Sequence, residues 1–130
     1  MNNQRGGTGM ELDEIVRRFG ALCGLTPEEA KAEEAQCAAA LARAEGERNG
    51  APGGEDALAD YAAALAAHRF VLRCLARGAT VAIGDPASGP GGARDAARAL
   101  EEDYRRTAAP WLRPAGFCFR PAAGGKGVSP

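Results

Sequence analysis

Histidine is nearly missing from this chain, and large apolar side chains are scarce. A single imidazole, His68, leaves histidine-based metal binding and acid–base chemistry with almost no material. Thirty residues are alanine, whereas Leu, Ile, Val, Met and the aromatics together supply only 25. A core made from such residues must be thin. No apolar run approaches the roughly 20 residues that span a bilayer, so no membrane partner is expected. The opening stretch, Met1 to Gly9, is polar and glycine-rich with no apolar stretch after it, unlike a signal peptide. The expected location is therefore the cytoplasm.

Cysteine patterning is equally poor. Cys23, Cys37, Cys74 and Cys118 form no C-x-x-C pair, and their spacings of 14, 37 and 44 match no zinc pattern. They read as free thiols serving as small core side chains. Charge of one sign is also lacking, with 16 cations against 17 anions and a pI near 5.9. A nucleic-acid binder normally presents a net basic face, so no specific nucleic-acid partner is expected. Arginine makes up 14 of the 16 cations. It favours planar, bidentate pairing at interfaces, although a GC-rich coding sequence produces the same bias.

What the sequence does contain is alanine-rich stretches separated by glycine and proline, the pattern of helices joined by loops. Residues 1–10 and 121–130 read as disordered ends around one helical domain, residues 11–120. The first helix is predicted at about 11–23, where Leu12, Ile15, Val16, Phe19, Leu22 and Cys23 form one apolar stripe. Gly24 supplies its stop. Thr26, Pro27 and Glu29 read as N-cap, N1 and the N3 partner of a capping box, opening a helix to about Glu45. Its apolar face is read as Ala35, Cys37, Ala38, Leu41 and Ala42. Residues 46–54, with four glycines and a proline, read as a mobile loop.

The third helix, about 55–77, is the long central one, spanning roughly 35 Å. Leu58, Tyr61, Leu65, Leu72 and Leu75 mark one face, and Phe70, Val71 and Cys74 widen the apolar surface towards its C-terminal end. That widening predicts cover on several sides there. Thr80 to Gly84 is β-like, and Phe117 with Phe119 alternates as a partner strand would. A fourth helix is predicted at about 93–109, burying Ala96, Ala97, Leu100, Tyr104 and Ala108. Glu101 with Arg105, and Glu102 with Arg106, form i,i+4 pairs in the favourable order. The expected fold is all-α: four helices around the third, at most a minor two-stranded β element, and an extended C-terminal arm.

The search for chemistry finds none. His68 lies mid-helix, eight residues from Asp60, and reads as a solvated or half-packed histidine. The acidic cluster Glu28, Glu29, Glu33 and Glu34 is explained by the helix dipole and a solvated face. The glycine-rich stretch after Thr80 lacks the Lys-Ser/Thr of a phosphate loop and the G-x-G-x-x-G spacing. No catalytic residue, metal or cofactor is assigned. Trp111 to Arg120 instead holds the only tryptophan and half the phenylalanines. Aromatics and arginine are the usual anchors of interfaces, so Trp111, Arg113, Phe117, Phe119 and Arg120 are the candidate interface residues. The competing use of this arm is to fold back and cap the core.

Five strings follow one another between Leu12 and Arg120: LDEIVRRFGALCGLTPEEA, YAAALAAHRFVLRCLARG, TVAIGD, ARALEEDYRRTAAP and WLRPAGFCFR. In pattern and order they resemble the small head–tail connector (adaptor) proteins of tailed phages and prophages. In such connectors the G-D string leads into a further extended segment, whereas here Pro86 to Gly92 is rich in Gly, Pro and Ser. The resemblance implies a non-enzymatic structural subunit that assembles with itself into a ring. It also implies docking to another phage structural protein of the portal type, in the cytoplasm of a bacterial host or in the virion. The other readings are a small cytoplasmic helical regulator that binds a protein partner, a DNA-binding helical domain disfavoured by charge, and a small enzyme.

Overall fold

The computed structural model describes residues 10–79 and 89–114. All regular structure within them is helical, the long central helix included. The expected pairing of residues 80–84 with 117–119, and the expected disorder of residues 1–9 and 121–130, lie outside the described residues. Met10, read with the disordered start, packs against the core.

The first helix, α1 (Leu12–Cys23), buries Ile15, Val16, Phe19, Gly20 and Cys23 along the expected stripe and ends at a left-handed Gly24. The capping box then opens α2 (Pro27–Lys31). The Glu29 N–H donates to Thr26 Oγ1 at 3.1 Å, and the Thr26 N–H donates to Glu29 Oε1 at 2.9 Å. Ala30 of α2 sits tightly on Gly20 of α1. A Cβ at Gly20 would lie 2.9 Å from that of Ala30, so only glycine admits this approach.

The single helix expected over 27–45 is in fact two, because the chain breaks at Ala32 and Glu33 before α3 (Glu34–Gly46). The Glu33 N–H bonds the Ala30 carbonyl at 2.9 Å, a tightened i→i−3 turn that re-aims the chain. The break also rotates the face. Cys37, Ala40 and Ala44 are buried, while Ala35, Ala38 and Ala42, read as core, are exposed. With alanine on every side of a helix, hydrophobic periodicity cannot choose a face.

The central helix α4 (Glu55–Ala76) is covered by α1, α3 and α5 (Gly89–Ala108). Adjacent residues of α1 reach opposite ends of it. Arg18 donates to Asp60 Oδ1 at 2.8 Å and Asp56 Oδ1 at 2.6 Å, whereas Phe19 meets Phe70 edge-on with ring centroids 5.4 Å apart. Asp56 and Phe70 are about 20 Å apart along the helix. The middle of α4, Tyr61 to Ala67, has every side chain buried. Full cover thus lies at the middle of α4, whereas the widening apolar surface had placed it at the C-terminal end. The reason is size, since five alanines in seven positions let neighbours close in from all sides.

Helix α5 begins earlier than the expected Ala93. Pro90 stands in its first turn, where a missing N–H costs nothing. Ala97 and Ala108 are buried as expected, with Ala93 added, while Ala96, Leu100 and Tyr104 are half-buried. No helix among the described residues is long and apolar enough to cross a membrane.

Candidate docking surface

Pro110 ends the fourth expected helix as predicted, and the chain makes one 3-10 turn, Ala109–Trp111. It then runs antiparallel to the loop after α3. Arg48 and Leu112 form an isolated antiparallel bridge. The Asn49 N–H donates to the Trp111 carbonyl at 3.0 Å, and the Arg113 N–H donates to the Glu47 carbonyl at 2.9 Å. The Asn49 side-chain amide reinforces the pair by donating to the Pro110 carbonyl at 3.0 Å. The loop expected to be mobile is therefore clamped by hydrogen bonds to residues about sixty positions away. Its glycines were the visible signal, and its partners were not.

The interface candidates divide at this clamp. Trp111 is half-buried, with its indole N–H donating to the Pro52 carbonyl at 3.1 Å and its ring packed on Gly54. Leu112 is buried. Arg113 is exposed and its guanidinium donates to the Gly46 carbonyl. The start of the arm thus folds back on the core, while Phe117, Phe119 and Arg120 lie outside the described residues.

A polar network beneath the clamp was not read from the sequence. Glu47 Oε1 accepts from the Tyr61 hydroxyl at 2.9 Å and from Arg105 at 2.5 Å, while Glu47 Oε2 accepts from Arg43 at 3.1 Å. The Arg105 guanidinium also stacks 5.4 Å from the centre of the Tyr61 ring. Burial alone would raise the Glu47 carboxyl, yet the bonds from Arg105, Tyr61 and Arg43 outweigh it and hold it below its ordinary value. Burial, then the bond to Glu47, pushes the Tyr61 phenol up to about 12. One readable sign existed nearby. In Arg48-Asn49-Gly50 the asparagine Oδ1 accepts from the Ala51 N–H at 2.9 Å, the local turn that Asn favours.

The network redirects the ion pairs expected within α5. Arg105 reaches Glu47 rather than Glu101, and Arg106 pairs with Asp103 rather than Glu102. Glu101 is 2.7 Å from His68 Nδ1, so the half-buried histidine braces α4 against α5, and Asp60 belongs to Arg18. Glu33 and Glu34 likewise hold Arg73 and Lys31. Cys23 and Cys37 are buried core thiols, pushed by that burial to about 12 and about 11. Among the described residues no group of His, Cys, Asp and Glu is arranged to hold a metal. Cys118 lies outside them.

Outside the clamp, the end of α5 and the root of the arm form an open groove of about 480 Å³. Glu102, Arg105, Arg106, Ala109, Leu112 and Arg113 line it. Its three guanidiniums are held within the chain by Glu47, Asp103 and the Gly46 carbonyl, beside the apolar side chains of Ala109 and Leu112. No family model, curated protein or solved structure matches the chain.

Proposed function

We propose that this chain is a non-enzymatic structural subunit of a phage or prophage. It forms or joins the head–tail connector ring by self-assembly and docks to a portal-type partner. Its place of action is the cytoplasm of a bacterial host or the virion. The order and patterning of its helical strings support the family reading, and one structural observation supports the mode of action. The clamp between residues 47–49 and 111–113 fixes the root of the arm beside an arginine-lined groove. Phe117, Phe119 and Arg120 then follow within a few residues of that fixed point. Aromatics and arginine are the usual residues of an interface anchor, and the sequence supplies both directly after the clamped segment.

Leu112 is part of the core, so the informative truncation removes residues 115–130 and leaves the clamp intact. That shortened chain keeps its helical circular dichroism but no longer co-purifies with a portal ring from a phage-producing host, whereas the full chain does. Equal recovery of the ring by both chains contradicts the proposed role of the arm.

A further inference from the structure

Three of the four cysteines come from different helices and meet at one end of the molecule. Cys23 closes α1, Cys37 stands in the first turn of α3, and Cys74 lies in the last turn of α4. Two contacts bring them together. Phe19 and Phe70 pack edge-on with ring centroids 5.4 Å apart, and Cys23 and Cys74 each stand four residues further on, on the same helix faces as those rings. Arg73, next to Cys74, reaches Glu33 and Gln36, and Gln36 is next to Cys37. The electrostatics agree with this placement. Among the ionisable groups that act on the Cys23 sulfur, Cys74 comes first, ahead of Cys37 and Glu33.

All three thiols are free, and they differ in access. Cys23 and Cys37 are 1% and 0% exposed, whereas Cys74 is half-buried. An oxidant therefore meets Cys74 first, and Cys23 is the thiol placed behind it. Small-residue packing explains a buried thiol, and alanine fills that need throughout this core. It does not explain a reachable thiol beside a sealed one.

We infer that Cys74 and Cys23 are a thiol pair that closes to a disulfide under oxidation, with Cys74 as the attacking thiol and a small disulfide such as oxidised glutathione as the oxidant. In the first step the Cys74 sulfur, its proton lost to solvent, attacks one sulfur of the oxidant. The oxidant's S–S bond breaks, and one glutathione thiolate leaves and takes up a proton. In the second step the Cys23 sulfur, likewise deprotonated, attacks the Cys74 sulfur of the mixed disulfide and expels the second glutathione. Two protein thiols are oxidised to one disulfide, and the oxidant is reduced to two thiols. Burial, then the neighbouring thiols, push Cys23 up to about 12, so the second step is the slow one at neutral pH and quickens as the pH rises. The bond ties the end of α1 to the end of α4 and closes the chain between them into a loop, which restricts the unfolded state. The pair lies within one chain, so it stands independently of the assembly reading.

Incubation of the full natural chain with oxidised glutathione, followed by intact mass and tryptic mapping, tests it. Trypsin places Cys23, Cys37 and Cys74 on separate peptides, 19–31, 32–43 and 74–77. The expected product has lost two hydrogens and links 19–31 to 74–77. It forms faster at pH 9 than at pH 7, unfolds at higher urea than the reduced chain, and returns to it with dithiothreitol. Cys23→Ala, checked by circular dichroism to be still helical, stops at a glutathione adduct on Cys74. An adduct that persists on Cys74 of the natural chain overturns the pair, as does a link from Cys74 to Cys37 or Cys118. So does a chain whose thiols stay free throughout, or one that links 19–31 to 74–77 only in urea.

Discussion

The indole of Trp111 lies directly on the α-carbon of Gly54, with its N–H donated to the Pro52 carbonyl. Gly54 has φ +79, and a Cβ there would overlap the ring. Gly54→Ala therefore combines left-handed strain with displacement of the indole and is expected to cost about 2–3 kcal/mol in urea unfolding. Gly50 has φ +89 but open space around it, so Gly50→Ala is expected to cost only about 1 kcal/mol. Equal losses would contradict the packing of the arm on the loop.

Leucines of one row should separate by depth. Leu65→Ala removes a side chain that is 1% exposed and is expected to cost about 2–4 kcal/mol. Leu72→Ala, on the same face two turns on, should change the stability of the isolated chain by no more than about 0.5 kcal/mol. Chemical denaturation of both variants at low protein concentration makes the comparison.

Acid should loosen the clamp. The Glu47 carboxyl titrates lower in the folded chain than its ordinary 4.5, because Arg105, Tyr61 and Arg43 bond it despite its burial. Its contribution is thus fully present above pH 4.5 and is lost as the pH falls through the folded value. Glu14, held at about 2 by Arg17 and then Arg18, acts in the same direction but is partly solvent-screened. Glu47→Gln is expected to be less stable at neutral pH and to lose less on acidification. A natural chain whose stability is flat from pH 6 to pH 3 would contradict the network.

Duplex DNA binding should be weak and should vanish at physiological salt, since the arginines are interspersed with acids and mostly paired with them. Fluorescence anisotropy showing submicromolar affinity at such salt would favour the DNA-binding reading.

Much of the backbone plan was legible because its signals are local. The stripe from Leu12 to Cys23, the Thr26 capping box and the long run from Glu55 each depend on residues within a few positions. What could not be read depends on distant partners. The break at Ala32 and Glu33 has no glycine or proline to announce it. Alanines 35, 38 and 42 look as apolar as those that are buried. The loop around Asn49 is ordered only because Pro110 and Trp111 reach it. The candidate surface was half-legible for the same reason, since Trp111 stands out by composition while its partners Gly54 and Pro52 do not. The exposure of Leu72 emerges only once Leu58 and Leu65 of the same row are known to be sealed.

Native mass spectrometry of the full chain tests the central claim, assembly with itself, most directly. A 13.4 kDa subunit that forms a connector ring should appear as one dominant closed oligomer, an integral multiple of that mass, falling apart as salt rises before desalting. A spectrum that holds only the 13.4 kDa monomer at every concentration and ionic strength would contradict the account.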